Sequence, residues 1–178
     1  MKNYIYTNTT FGNEMYKEKL SLEDIDYRIN EFYNPYHQAI SNAIQEKLKF
    51  FDKVYLMDLH SFGKFLEADA ILGNNNGNTT SDIFIQLIEK LLKEEGYTVK
   101  KNKPYCGGHI TKHYGNNIEK CETLQIELWY GSYIGEIGVK NEQFPNIDEN
   151  VFEDAQEKMK NFFINLKNSI NVKGGEEI

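Results

Sequence analysis

Cysteine is scarce in this chain: there are two in 178 residues, Cys106 and Cys121. That is too few for a disulfide framework, and their separation does not fit a paired C-x-x-C metal signature, so they read as ordinary cytosolic thiols. Positive charge is also in deficit. Twenty Lys and Arg against 27 Asp and Glu leave a formal net charge of −7, which argues against nucleic acid or an anionic membrane as the main partner. Long apolar runs are missing as well. None approaches the roughly 20 residues of a membrane span, and Met1-Lys2-Asn3-Tyr4 opens without the apolar core of a signal peptide. A cytoplasmic protein acting on a small molecule or another protein is expected. The length suits one domain over residues 1–178.

What is present is alternation of helical and strand patterns. Residues 1–20 carry little pattern beyond Tyr4-Ile5-Tyr6, a candidate edge strand. Ser21 with Asp24 resembles a capping box. Leu22, Ile25, Ile29, Phe32, Tyr36, Ile40, Ile44 and Leu48 then recur at helical steps. Asn34-Pro35 predicts a kink or break in that helix, because proline lacks the N–H and crowds the preceding turn. Val54-Tyr55-Leu56-Met57 and Ala68 to Leu72 predict strands, and Asn74 to Asn78 a loop. Thr79, with Asp82 three residues on, predicts the cap of a helix whose apolar face is Ile83, Phe84, Leu87, Ile88, Leu91 and Leu92. Gly96 closes that helix. Tyr97-Thr98-Val99 and Thr123 to Tyr130 read as strands, and Lys101 to Gly115 as a loop. A last helix opens near Asp148 and carries Val151, Ala155, Met159, Phe162, Phe163, Leu166 and Ile170, with residues 172–178 as a frayed tail. The order predicts an α/β layered domain with a mixed, mostly parallel central sheet flanked by helices.

In such sheets functional groups collect at strand ends. Asp58 and His60 are two apart and share a face, an arrangement in which a carboxylate fixes the tautomer of a ligating imidazole. Gln125 and Glu127 share a face while Leu124, Ile126 and Leu128 take the other, so a carboxylate there could serve as a general base. By position alone, a strand-end histidine is more often a hydrogen-bonded structural residue than a ligand, and a polar strand residue such as Glu127 more often simply faces solvent. Between these strands, Gly107-Gly108 permits close backbone approach, and Thr111, Lys112 and two histidines suit recognition of an anion. His109 and His113 have the spacing of a helical zinc motif, but position 110 is Ile where that motif needs Glu.

Seven segments together resemble the N-formylglutamate amidohydrolase family, relatives of the zinc carboxypeptidases. They are Thr9-Thr10-Phe11-Gly12, Tyr33-Asn34-Pro35-Tyr36-His37, Asp58-Leu59-His60-Ser61-Phe62, Asp69-Ala70-Ile71-Leu72-Gly73, Asn102-Lys103-Pro104-Tyr105 with Gly107-Gly108-His109-Ile110-Thr111, His113-Tyr114-Gly115, and Gln125-Ile126-Glu127-Leu128. The resemblance implies a phosphorylase/hydrolase-like fold and a hydrolase releasing formate and an amino acid from a small N-acylated amino acid. By the same resemblance His60 is a zinc ligand, Asp58 its supporting carboxylate, and Glu127 the catalytic base. Gly107, Gly108, Thr111, His113 and Asp69 would hold substrate. His37 and Arg28 are further candidates, while Tyr36 and Ile40 are expected in the core. The family also carries two more zinc ligands on a strand ahead of the segment matched here. Catalytic zinc uses three protein ligands plus water, so two readings stand: an active zinc amidohydrolase, or a non-catalytic remnant that keeps the fold and an anion-binding pocket.

Overall fold

The computed structural model describes residues 5–9, 12–63, 66–135 and 147–171. The expectations for Met1 to Tyr4 and for the tail at 172–178 lie outside these residues. The chain divides into two compact units, Met1–Asp52 and Lys53–Ile178.

In the first unit, the side chain of Ser21 accepts from the backbone N–H of Asp24, and Asp24 Oδ2 accepts from that of Ser21. This is the capping box expected, and it opens α1 (Leu22–Arg28). The break expected at Asn34-Pro35 takes another form. Residues Ile29–Tyr33 form a π-helical turn in which the N–H of Asn34 reaches the carbonyl of Ile29, and α2 (Asn34–Leu48) starts with proline in its first turn. A π turn shifts the hydrogen-bond register by one residue, so the missing proline N–H falls where an α2 start would not need it. Tyr36, expected in the core, is 56% exposed, and Ile44 is the buried residue of α2. Arg28 donates to the Tyr16 hydroxyl at 2.9 Å. Ahead of α1, Asn8 and Glu14 form an antiparallel bridge.

The second unit is a four-stranded sheet with helices on both faces. Its strands are β1 (Val54–Phe62), β2 (Ala70–Gly73), β3 (Val99–Lys101) and β4 (Cys121–Trp129), in the order β1-β4-β2-β3. β1 pairs with β4 and β2 with β3 in parallel, while β2 and β4 run antiparallel. This is the mixed, mostly parallel arrangement expected. The alternation on β4 decides what each face meets. Leu124, Ile126 and Leu128 join Ala70, Leu72, Tyr55 and Met57 against α3 (Asp82–Glu94) and α6 (Glu149–Asn171), which contribute Ile88, Leu92, Phe162 and Leu166. Burying several large side chains at about 1.5–3 kcal/mol each makes this the stabilising core.

Two details of α3 differ from expectation. Ser81 is its cap, accepting from Phe84 N–H, whereas the Thr79 hydroxyl donates to the Thr123 carbonyl. Its buried face runs through Phe84, Ile85, Ile88, Leu91 and Leu92, and Ile83 is 64% exposed. The expected loop from Lys101 to Gly115 contains α4 (His109–Asn117), which lies on the opposite sheet face from α3 and α6. There Thr123 Oγ1 donates to the Thr111 carbonyl at 2.5 Å. A short α5 (Gly131–Ile134) follows β4. Among the described residues no helix is long and apolar enough to cross a membrane.

Candidate active site

The parallel register of β1 and β4 sets Asp58 opposite Gln125 and His60 opposite Glu127. All four side chains lie on the α4 face of the sheet, Asp58 and Gln125 in the middle of their strands and His60 and Glu127 nearer the carboxyl ends. His60 Nε2 stands 3.0 Å from Asp58 Oδ1, and His60 Nδ1 stands 3.9 Å from Glu127 Oε1. The two ring nitrogens of His60 thus face two carboxylates, Asp58 at Nε2 and Glu127 at Nδ1. The imidazole is half exposed, whereas only 8% of the Glu127 side chain is exposed. Burial pushes the Glu127 carboxyl above its ordinary range, and the nearby Asp58 charge adds to this. His60 and the hydrogen bond from Gln125 oppose it. A buried carboxylate with a raised pKa is suited to taking and returning a proton.

Gly107 and Gly108 approach this group from the start of α4, where the Gly108 N–H donates to Gln125 Oε1. Gln125 Nε2 in turn donates to Glu127 Oε1 at 2.5 Å. Thr111 lies in the first turn of α4, wholly buried, with no hydrogen-bond partner for Oγ1 among the described residues. His113 is exposed on α4, its ring 5.4 Å from that of His109. No described contact brings Asp69 to this group. Its carboxylate accepts from the N–H and hydroxyl of Thr98 at 2.8 and 2.5 Å, latching the start of β2 to the residue before β3.

The donor set falls short of a complete zinc centre. Among the described residues no group of three or more His, Cys, Asp and Glu stands where it could hold a metal. His60 offers one imidazole nitrogen and Glu127 a buried carboxylate, against the three protein ligands of catalytic zinc.

Two features of the site were not read from the sequence. One is the link from Gly108 through Gln125 to Glu127, although the Gln-x-Glu alternation on β4 put both side chains on one face. The other is Gly73, where an added Cβ would fall 2.5 Å from Gly107 N and 2.8 Å from the Cys106 carbonyl carbon. The glycine ending the Ala70-Ile71-Leu72 run was its only signal.

The family model described as N-formylglutamate amidohydrolase matches residues 1–134. N-formylglutamate deformylase of Pseudomonas aeruginosa is 29% identical over 143 residues, covering 74% of this chain and 54% of the relative. The Pseudomonas putida enzyme of the same name is 27% identical over the same share. The chain thus spans about half the length of these curated relatives. Among solved structures, N-formylglutamate amidohydrolase from Ralstonia eutropha JMP134 superposes with a TM-score of 0.76 at 27% identity, over 97% of this chain and 62% of that one. A protein from Agrobacterium tumefaciens, at 16% identity and a TM-score of 0.63, shares the fold. With three quarters of its residues matched by the family model, this chain belongs to the N-formylglutamate amidohydrolase family.

Proposed function

We propose that this chain provides the base-bearing part of an amidohydrolase that converts N-formyl-L-glutamate and water to L-glutamate and formate. The observation that carries the reading is the pairing of buried Glu127 with His60 across β1 and β4. Glu127 takes a proton from the attacking water as its oxygen bonds to the formyl carbon. The same carboxyl then returns the proton to the glutamate nitrogen as the C–N bond breaks, so one group serves as base and then as acid. The printed names of the Pseudomonas relatives support the substrate.

His60, oriented by Asp58, is the ligand this chain would contribute to zinc, the other ligands coming from outside the described residues. Gly107, Gly108 and His113 form the approach for substrate. Thr111 contributes a buried hydroxyl that a ligand could satisfy, while Asp69 fixes the connection between β2 and the residue before β3. The reading carries with it a small-molecule N-acylated amino acid as partner and a cytoplasmic setting.

The test is formate release from N-formyl-L-glutamate by the purified chain, with and without added zinc, compared with Glu127→Gln. Turnover lost in the variant supports the reading. No formate above background under either condition would favour the second reading, a remnant that keeps the fold without the reaction. The short donor set among the described residues is what favours that alternative.

A further inference from the structure

We propose that Gln125 is a positioning residue for Glu127, itself held by the backbone N–H of Gly108. This rests on the reading of Glu127 as the working carboxylate. Gln125 is 4% exposed in the middle of β4, where its neighbours Leu124 and Ile126 are wholly buried. An apolar side chain of similar volume would fill that space with no group to satisfy, so a primary amide there needs an account.

The two contacts of Gln125 supply one. A carboxylate accepts only and a backbone N–H donates only, so Nε2 must face Glu127 and Oε1 must face Gly108. Both ends demand the same orientation, and neither is satisfied if the amide flips. Glu127 has a broad terminal torsion of its own. The hydrogen bond to Oε1 limits that torsion, and it can do so only if Gln125 does not move with it.

The far end is built not to move. The Cys106 carbonyl accepts from Asn75 N–H at 2.6 Å. Asn102 Oδ1 accepts from the N–H groups of Asn74 and Asn76 at 3.0 and 3.2 Å, and its Nδ2 donates to Asn74 Oδ1 at 2.8 Å. These bonds tie the segment before α4 to the end of β2. Gly73 lets the two backbones meet, and Gly107 takes φ +110°, a conformation that side chains rarely adopt. At Gly108 an added Cβ would stand 3.1 Å from Gln125 Oε1. Three glycines and an asparagine clamp thus deliver one N–H to one amide oxygen, and the amide passes that fixed geometry to the carboxylate.

The experiment is nuclear magnetic resonance of the full chain, which needs no turnover. The side-chain amide signals of Gln125 are followed in the wild type and in Glu127→Ala, and the Gly108 backbone signal in the wild type and in Gln125→Met. Expected are displaced, slowly exchanging Gln125 amide protons that lose both properties in Glu127→Ala, and a Gly108 signal that moves in Gln125→Met. If Gln125→Met does not fold, Gln125→Asn replaces it, since the shorter side chain cannot span both partners. Unchanged Gln125 signals in Glu127→Ala overturn the proposal whatever the other variants do. Where the wild type releases formate, Gln125→Met should lower kcat about 10- to 100-fold with KM little changed, as a misplaced base does. An unchanged kcat would also overturn it. Absence of turnover in the wild type would count against the proposed reaction, and the resonance experiment would still decide whether Gln125 holds Glu127.

Discussion

His60 and Glu127 face each other across adjacent parallel strands, with Nδ1 and Oε1 3.9 Å apart. The pairing follows from register, because β1 and β4 align Val54 with Cys121 and keep step to Phe62 and Trp129. Slipping the pairing by one residue would turn one member of the pair to the core face. The site is therefore only as stable as the sheet, and what holds the sheet is testable.

Glu122, near the start of β4, is one such element. It accepts from the backbone N–H and hydroxyl of Ser81 at 2.8 Å each and from Lys53 at 2.6 Å, joining the start of α3 to the sheet. Burial acts to raise its pKa, but the Lys53 and Ser81 hydrogen bonds outweigh it and the net shift is downward. A carboxyl with a lowered folded-state pKa contributes stability above its unfolded value of about 4.3, and this is lost as pH falls through the folded value. Glu122→Gln should cost about 1.5–3 kcal/mol at pH 7 by urea unfolding. The gap between variant and wild type should narrow as pH drops below the ordinary carboxylate range.

Gly73→Ala tests the contact between β2 and the segment before α4. Its Cβ would press on the backbone of Cys106 and Gly107, neither of which is a flexible side chain. A loss of about 1–3 kcal/mol is expected from overpacking. Hydrogen exchange at the Gly108 amide should quicken, and wild-type stability in the variant would mean that the close approach is not tight.

The two thiols should differ in reactivity. Cys121 is 5% exposed, and burial, with a smaller contribution from the Glu122 charge, pushes its pKa up to about 11. Cys106 is half-buried. At pH 8 iodoacetamide should leave Cys121 intact in the native chain and modify it once urea is added, as peptide mass spectrometry would show. Modification of native Cys121 at the rate found in urea would contradict this.

Much of the sheet was legible because its signal is local. The alternation along Thr123 to Trp129 separated a core face from a polar face, and that put Gln125 and Glu127 together. The short strand ending at Gly73 and the Ser21 box were legible for similar reasons. α4 was not, because Gly107, Gly108, Gly115, Asn116 and Asn117 are all poor helix formers. It forms because Thr111 and Tyr114 are buried against the sheet. Gly115 is required there, since a Cβ would fall 2.4 Å from Thr123 Oγ1. Ser81 displaced Thr79 as the helix cap for a similar reason: the Thr79 hydroxyl is taken by a strand 44 residues away. Long-range partners of this kind leave no periodic trace. Strand alternation singled out His60 and Glu127 and the resemblance gave them their expected roles, but the Gly108 to Gln125 link depends on two backbones meeting at Gly73.

The central claim is that Glu127 does the proton work of an amide hydrolysis, and formate release from N-formyl-L-glutamate tests it most directly. The account predicts release by the wild-type chain at least about 100-fold faster than by Glu127→Gln, the lower end of what general base catalysis contributes. Equal rates in the two chains, or no formate from either, would contradict it.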